Sequence, residues 1–276
     1  MKAACIQLCS NGDLDRNLAV AQRLIDRAAE AGALLVQLPE NFAFMHPDRE
    51  LKLKTARKRM AQEVLPYLAR NAARHGIHLV GGSVLLPAPG GKLRNACPVY
   101  GPQGDCLGTY DKIHLFDVEL PDERYCESDL VQAGETPLLL RCGEFRLGLS
   151  ICYDLRFPEL YRGYAASGCD ILSIPAAFTV PTGRAHWELL LRARAVENQC
   201  FVLAAAQVGT HPGGRRTYGH SLIVDPWGEV LAKAENIDEE AGELVMAELD
   251  EARLREVRLQ LPALIHRRPG LGAQSG

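Results

Sequence analysis

The chain has 276 residues, and its 31 Lys and Arg against 34 Asp and Glu leave a formal net charge of -3 at pH 7. This near balance argues against a surface built for nucleic acid, and no apolar stretch reaches the roughly 20 residues that span a bilayer. We therefore expect a cytoplasmic protein with neither nucleic acid nor a membrane as partner, folded as one domain over residues 1–271 with a mobile tail at 272–276.

The first elements in the chain predict a strand–helix–strand unit. Lys2–Leu8 reads as a strand, Asp13–Ala31 as a helix with one apolar side that stops at Gly32, and Leu34–Leu38 as a second strand. A right-handed crossover would make the two strands parallel neighbours in one sheet. The second strand then delivers Glu40 to its carboxyl end.

The next segment is basic and leads into a helix that ends near His75. We interpret its charges as the solvated face of a helix; they are Lys52, Lys54, Arg57, Lys58 and Arg59. Turn compositions separate the following strands and favour antiparallel pairing. These strands are Ile77–Leu86, Arg94–Tyr100 and Cys106–Tyr110.

The second half of the chain continues as strands and helices in alternation. A hairpin, a helix, a strand, a helix and four strands are predicted in that order. They are Leu138–Arg141 with Arg146–Ile151, Pro158–Ser167, Asp170–Ile174, Ala185–Gln199, Phe201–Ala206, Tyr218–Asp225, Glu229–Ala234 and Glu243–Glu248. This order favours an α/β fold, either two packed sheets with outer helices or one doubly wound sheet.

Cys152 stands where a strand turns into a helix. The strand-like run ends at Ile151, Tyr153 and Asp154 interrupt the pattern, and Pro158 suits the first turn of the following helix. Free backbone N–H groups at such an elbow would favour a thiolate and any oxyanion formed beside it. Taken alone, a single cysteine is more often a small buried apolar residue.

Two charged residues near other strand ends change that balance. Glu40 follows the run LLVQLP, and Lys112 follows the strand-like LGTYD. Each by itself is typical of a solvated residue after a strand. Together with Cys152 they supply a general base, a cation and a sulfur nucleophile at strand ends of one α/β pattern.

Three local motifs resemble the nitrilase superfamily of carbon–nitrogen hydrolases. They are LPEN around Glu40, YDKIHLFD around Lys112 and CYDLRFPEL around Cys152, within a resemblance that covers residues 2–271. The resemblance implies a Glu-Lys-Cys catalytic triad, with Glu127 as a second glutamate in the site. It also implies a four-layer α-β-β-α sandwich of two mixed β-sheets, and a homodimer or higher homo-oligomer.

The later motifs are closest to the deaminated-glutathione amidase branch, with omega-amidases as near relatives. They are AFTVPTGRAHWELLLRARAVENQCFVLAAAQ, YGHSLIVDPWGEV and HRRPGL. The branch implies hydrolysis of a small amide, the bond between an α-keto dicarboxylate unit and cysteinylglycine, through a thioester on Cys152. The alternative is hydrolysis of α-ketoglutaramate to the α-keto acid and ammonia. A catalytically silent scaffold on the same fold is the alternative from another class of function.

Substrate-binding residues are expected beside the nucleophile and in two loops. The candidates are Tyr153, Phe178, Thr182, Arg184, Arg215 and Arg216. Arginine suits bidentate binding of substrate carboxylates, and solvated surface arginines are the alternative interpretation. We interpret Arg156 and Glu159 as a helix ion pair, and His114 and His220 as hydrogen-bonded structural residues rather than partners of a Cys-His protease.

The remaining cysteines indicate neither disulfides nor a metal. Nine cysteines form an odd set without a CxxC pair, which is typical of reduced thiols. Cys5 and Cys9 lack nearby ligand partners, so no metal site is predicted there. Because side chains supply nucleophile, base and cation, we expect no cofactor.

Overall fold

Six α-helices and the strands of two large sheets form the framework of the computed structural model, which describes residues 1–120, 123–235 and 239–268. The helices are α1 (Leu14–Glu30), α2 (Arg49–Thr55), α3 (Leu65–His75), α4 (Pro158–Ala166), α5 (Val180–Asn198) and α6 (Glu251–Gln260). The strands are β1 (Lys2–Gln7), β2 (Leu35–Gln37), β3 (His78–Val80), β4 (Val84–Pro87), β5 (Leu93–Tyr100), β6 (Cys106–Asp111), β7 (Asp117–Leu120), β8 (Glu123–Cys126), β9 (Leu139–Cys142), β10 (Phe145–Leu149), β11 (Ile171–Ser173), β12 (Phe201–Ala204), β13 (Val208–Thr210), β14 (Arg216–Tyr218), β15 (Leu222–Val224), β16 (Val230–Lys233) and β17 (Glu243–Glu248).

The first sheet has seven strands. Six follow the order β17-β1-β2-β3-β5-β4, and the seventh, β6, pairs antiparallel with β5. Strands β1 and β2 are parallel, as predicted, and α1 crosses over between them. Alternate residues of β1 face opposite ways: Ala3 and Cys5 join the core between the sheets, while Ala4 and Ile6 pack with the helices. Period-two alternation thus buries both faces of this strand.

The second sheet has six strands in the order β16-β15-β12-β11-β10-β9, with β10, β11 and β12 parallel. Leu147 and Leu149 of this sheet share one apolar core with residues of the first sheet. A polar link also joins the sheets: Gln37 Nε2 donates to Leu203 O at 3.1 Å, and Gln37 Oε1 accepts from Ser173 Oγ at 2.8 Å. Helices α4 and α5 cover the outer face, so the predicted four-layer α-β-β-α sandwich is confirmed.

Two predicted strands are wrong. Residues 218–225 divide between β14 and β15, with His220 between them at a φ of +58°, and residues 77–86 form two strands rather than one. Strands β3 and β4 both pair with β5, and the chain between them turns at Gly82, whose φ is +60°. A Cβ at Gly82 would lie only 2.1 Å from the carbonyl oxygen of Pro39. The strand therefore breaks where the backbone must pass close to the loop that carries Glu40.

Several helical boundaries also differ from prediction. The basic segment is itself helical, since α2 continues through a π-helical stretch, Ala56–Val64, into α3. Helix α5 begins at Val180 rather than Ala185, with Pro181 in its first turn. The hairpins β7–β8 and β13–β14 and the helix α6 were not predicted.

No helix in the described ranges is both long and apolar enough to cross a membrane. All nine cysteines are free thiols. The predicted mobile tail, 272–276, lies outside the described residues.

Candidate active site

The three motif residues lie in segments that leave strands of both sheets. Glu40 follows β2, Lys112 directly follows β6, and Cys152 follows β10. The Glu40 loop is held by Gln207, whose Nε2 donates to the carbonyl oxygen of Glu40 at 2.9 Å. The next residue, Asn41, adopts a φ of +54° and donates its N–H to Ser83 Oγ at 3.1 Å. Backbone contacts therefore direct Glu40 into the interior of the protein.

Lys112 lies between two carboxylates. Its Nζ is 3.1 Å from Glu40 Oε1 and 2.8 Å from Glu127 Oε2. Asn95 Nδ2 connects the same carboxylates, at 3.0 Å from Glu40 Oε1 and 3.2 Å from Glu127 Oε1. The N–H of Phe116 donates to Glu127 Oε2 at 2.8 Å. The cluster thus brings together all three predicted charged residues, and adds Asn95, which sequence reasoning missed.

Burial and charge compete within this cluster. Burial alone would lower the pKa of Lys112, but the carboxylates of Glu127 and Glu40 outweigh it and raise that pKa above its usual range. Burial would raise the pKa of Glu127, but the Lys112 ammonium outweighs it and lowers that pKa. Lys112 is therefore positive and Glu127 negative at neutral pH.

The surroundings of Cys152 oppose the thiolate that its elbow position favours. Burial raises the pKa of the thiol above its usual range, the charge of Glu40 raises it further, and Lys112 only partly opposes this. The residue has a φ of +50° and donates its own N–H to Pro175 O at 2.9 Å. Because the charge of Glu40 acts on the thiol, that carboxylate is placed to take its proton.

A buried carboxylate holds the elbow, and the sequence did not single it out. Asp154 Oδ1 accepts from the N–H of His114 at 2.9 Å and from its Nδ1 at 2.7 Å. Its Oδ2 accepts from Tyr110 OH at 2.7 Å and from the N–H of Ile151 at 2.8 Å. Tyr110 and His114 flank Lys112 in the chain, so Asp154 joins the lysine segment to the nucleophile segment.

Above the cluster lies a cavity of about 430 Å³, within the usual size of small-molecule sites. Glu40, Lys112, Glu127 and Cys152 all line it. Four of the six predicted substrate-binding residues also line it, namely Tyr153, Phe178, Thr182 and Arg215. The other two, Arg184 and Arg216, are exposed and lie outside the lining.

Two further cations line the cavity and were not predicted there. Lys52 of α2 belongs to the lining, so this residue of the basic run does not belong to a solvated face. Arg156 also lines it, with its guanidinium carbon 5.7 Å from the ring centroid of Tyr153 and 5.3 Å from that of Phe178. The predicted ion pair between Arg156 and Glu159 is wrong, because no such contact joins these two described residues.

His114 and His220 make structural hydrogen bonds outside the cavity. His114 bonds Asp154, and His220 Nδ1 lies 2.8 Å from Tyr218 O. Neither lines the cavity. Among residues 1–120, 123–235 and 239–268, no group of three or more His, Cys, Asp or Glu is arranged to hold a metal ion.

Comparisons with known proteins agree with this arrangement. The sequence pattern of the carbon-nitrogen hydrolase family matches residues 2–259. A deaminated glutathione amidase of Synechocystis sp. is 46% identical over 270 residues, covering 96% of this chain and 97% of that protein. An omega-amidase of Danio rerio is 40% identical over 271 residues, covering 98% and 95%.

Among solved structures, the NitFhit protein of Caenorhabditis elegans superimposes with a TM-score of 0.91 at 39% identity. The match covers 97% of this chain and 65% of that longer chain. The resemblance indicated by the motifs around Glu40, Lys112 and Cys152 is thus confirmed over nearly the full length. This chain belongs to the carbon-nitrogen hydrolase family.

Proposed function

We propose that this chain is a cysteine-dependent amidase that hydrolyses deaminated glutathione, in which an α-keto dicarboxylate unit is joined to cysteinylglycine. One observation carries the proposal: a buried Glu-Lys-Cys cluster forms the floor of a cavity that is also lined by Lys52, Arg156 and Arg215. The floor suits amide hydrolysis, and the cations suit a substrate with two carboxylates. A relative of the same name at 46% identity supports this assignment.

The first half of the reaction forms a thioester. Glu40 takes the proton of the Cys152 thiol as Sγ attacks the amide carbon, so the carbonyl electrons move to oxygen. Lys112 Nζ and the N–H of Tyr153 stabilise that oxyanion. When the tetrahedral intermediate collapses, the C–N bond breaks and Glu40 returns its proton to the departing nitrogen, which leaves as the free amine of cysteinylglycine.

The second half of the reaction releases the acyl group. Glu40 now takes a proton from a water molecule, whose oxygen attacks the thioester carbon. The C–S bond breaks, Cys152 recovers a proton by way of Glu40, and the α-keto dicarboxylate leaves. Glu127 supports both halves because its 2.8 Å contact holds Lys112 Nζ in place.

Hydrolysis of α-ketoglutaramate is the second candidate, and the 40% identical omega-amidase supports it. Both substrates give the same thioester on Cys152, since they differ only in the leaving amine. Ammonia leaves from the shorter substrate and cysteinylglycine from the longer one. The discriminating quantity is therefore the rate of acylation, measured as kcat/KM.

A hydrolysis assay on purified enzyme tests the proposal. We expect deaminated glutathione to have a higher kcat/KM than α-ketoglutaramate, with one cysteinylglycine released per turnover. The variant Cys152→Ala should be inactive on both. A wild-type enzyme that prefers α-ketoglutaramate would move the assignment to omega-amidase, and activity retained in Cys152→Ala would reject the mechanism.

We further infer that the protein works in the cytoplasm, without a cofactor or nucleic-acid partner, as a homodimer or larger homo-oligomer. The near-neutral charge supports the absence of a polyanion partner, and the family resemblance supports self-association. Sedimentation velocity measures the oligomer. Dialysis against a strong chelator should leave the activity unchanged; a loss that one metal ion reverses would overturn the inference about cofactors.

A further inference from the structure

The cations of the cavity lie at two separate places. Three rings follow one another along the wall, since the Phe116 centroid is 5.1 Å from that of Tyr125 and 5.1 Å from that of Tyr153. The guanidinium carbon of Arg215 lies 5.2 Å from the Tyr125 centroid, and that of Arg156 lies 5.7 Å from the Tyr153 centroid. Arg215 therefore contacts the ring at one end of this row, and Arg156 contacts the ring at the other end.

Lys52 and Arg215 lie near each other, because the loop that carries Arg215 packs on the segment that leads into α2: a Cβ at Gly213 would lie only 2.7 Å from Pro47 Cγ. Burial, and after it the nearby charge of Arg215, lower the pKa of Lys52 below its usual range. Arg215 Nη2 donates to Ala177 O at 2.9 Å, but its buried Nε has no hydrogen-bond partner among the described residues. Neither cation forms an ion pair with a carboxylate in the described part of the chain. The charges of Glu127 and Asp48 oppose the lowering of the Lys52 pKa from beyond ion-pair distance, so both half-buried cations can still bind a carboxylate in the cavity.

We propose that Lys52 and Arg215 form a subsite for the terminal carboxylate of the leaving group, which is the glycine carboxylate if the proposed function holds. The leaving nitrogen must lie beside Glu40 to receive its proton, and the rest of the leaving group continues beyond it. The acyl group stays bound to Cys152 Sγ, so its own carboxylate belongs near the segment of the nucleophile. Arg156 lies in the same short turn as the nucleophile, Cys152–Arg156, whereas Lys52 and Arg215 line the cavity from other segments.

The subsite explains how the same catalytic cluster can favour a long amide substrate over a short one. A carboxylate bound by two cations gains charge-assisted hydrogen bonds, while a substrate that leaves as ammonia has no group to place there. Specificity then comes from a contact remote from the reacting bond, which is expressed in acylation rather than in hydrolysis of the shared thioester.

Matched variants test the subsite on the full-length enzyme. Lys52→Met and Arg215→Met remove one charge each, and Lys54→Met and Arg216→Met are controls at exposed positions outside the cavity. We expect the first two to raise KM for deaminated glutathione roughly 10- to 100-fold, as for loss of a hydrogen bond to a charged group. On α-ketoglutaramate they should stay within about twofold of wild type, and both controls should match wild type on both substrates.

A chemical variant of the substrate gives an independent measurement. Deaminated glutathione with its glycine carboxylate converted to a methyl amide should be a poorer substrate for wild type, but no poorer than its parent for the double variant Lys52→Met/Arg215→Met. Equal losses on long and short substrates, or indifference of wild type to the amide, would overturn the subsite. A wild-type enzyme without activity on deaminated glutathione would instead reject the proposed function, so the two failures are distinct.

Discussion

Asp154→Asn should weaken both the stability and the activity of the enzyme, although it changes one atom. Asp154 is fully buried, and each of its carboxylate oxygens accepts two hydrogen bonds. An asparagine offers one oxygen and one NH₂ group. Whichever way the amide turns, its NH₂ group faces a backbone N–H, either that of His114 or that of Ile151, and this N–H loses its acceptor.

The magnitude follows from these contacts. One orphaned buried N–H costs about 1–3 kcal/mol, and the remaining bonds change from charged to neutral. An amide costs less to bury than a carboxylate, which offsets part of the loss. We expect a net loss of about 2 kcal/mol, or roughly 4–8 °C in Tm for a chain of this size. Because the same bonds align Lys112 with Cys152, a displacement near 1 Å should lower kcat by about 100-fold.

Thermal unfolding and steady-state kinetics on one preparation measure both effects. Asp26→Asn is the matched control, because Asp26 Oδ1 also bonds a histidine, His75, at 2.6 Å but lies on the surface side of α1. The control should lose less than about 1 kcal/mol and keep full activity. If Asp154→Asn matched wild type in Tm and kcat, Asp154 would not be the clamp of the elbow.

Three further predictions concern the charge cluster. Lys112→Ala should lose about 3–5 kcal/mol of stability, because two buried carboxylates lose their cation. Its kcat should fall at least about 100-fold. Urea unfolding and steady-state kinetics measure both effects, and a variant as stable and active as wild type would contradict this prediction. Lys112 lowers the pKa of Glu127 from 4.5. The stabilisation that the Lys112–Glu127 ion pair provides is therefore fully present above pH 4.5, and it is lost as the pH falls through the lower pKa that Glu127 has in the folded protein. The stability gap between wild type and Glu127→Gln in urea should therefore narrow in acid, and a gap independent of pH would refute the ion pair. Because burial raises the pKa of Cys152, iodoacetamide at pH 7 should label the exposed Cys106 and Cys126 first; peptide mass spectrometry showing Cys152 labelled first would indicate a resting thiolate.

The predicted catalytic residues share a local signature. Glu40, Lys112 and Cys152 each follow a short strand within a motif that is readable over a few neighbouring residues. The pattern placed each residue at a strand end, but β2 and β6 belong to the first sheet and β10 to the second, so the packing of the two sheets brings the three residues together. Glu127 needed the family resemblance, because nothing in its immediate surroundings distinguishes it from a solvated loop carboxylate.

The residues that were missed act through partners far away in the chain. Asn95 lies within β5, where it reads as an ordinary strand residue, yet it contacts Glu40 from 55 positions away. Asp154 reaches Tyr110 across 44 positions. No local pattern indicates such contacts, because they exist only after the two sheets have packed and the loops have closed over the cluster.

The same limit applies to the cations. Lys52 lies in a run of basic residues on a short helix, and Lys54, two residues along, is exposed as the run predicted. Arg184 and Arg216 are exposed, whereas Arg156 and Arg215 line the cavity. A sequence records the charge of a side chain but not which wall of a cavity it will meet.

The sequence by itself determined the class of the fold, the family and the nucleophile, base and cation, because periodicity and short motifs are properties of neighbouring residues. Only the tertiary structure decided the electrostatic environment of the site and which cations line its cavity. Burial raises the pKa of Cys152 despite its elbow, and packing brings the loop of Arg215 against the segment that leads into α2 and Lys52. Both outcomes depend on desolvation and on charges brought together from distant segments, and these exist only in the folded chain.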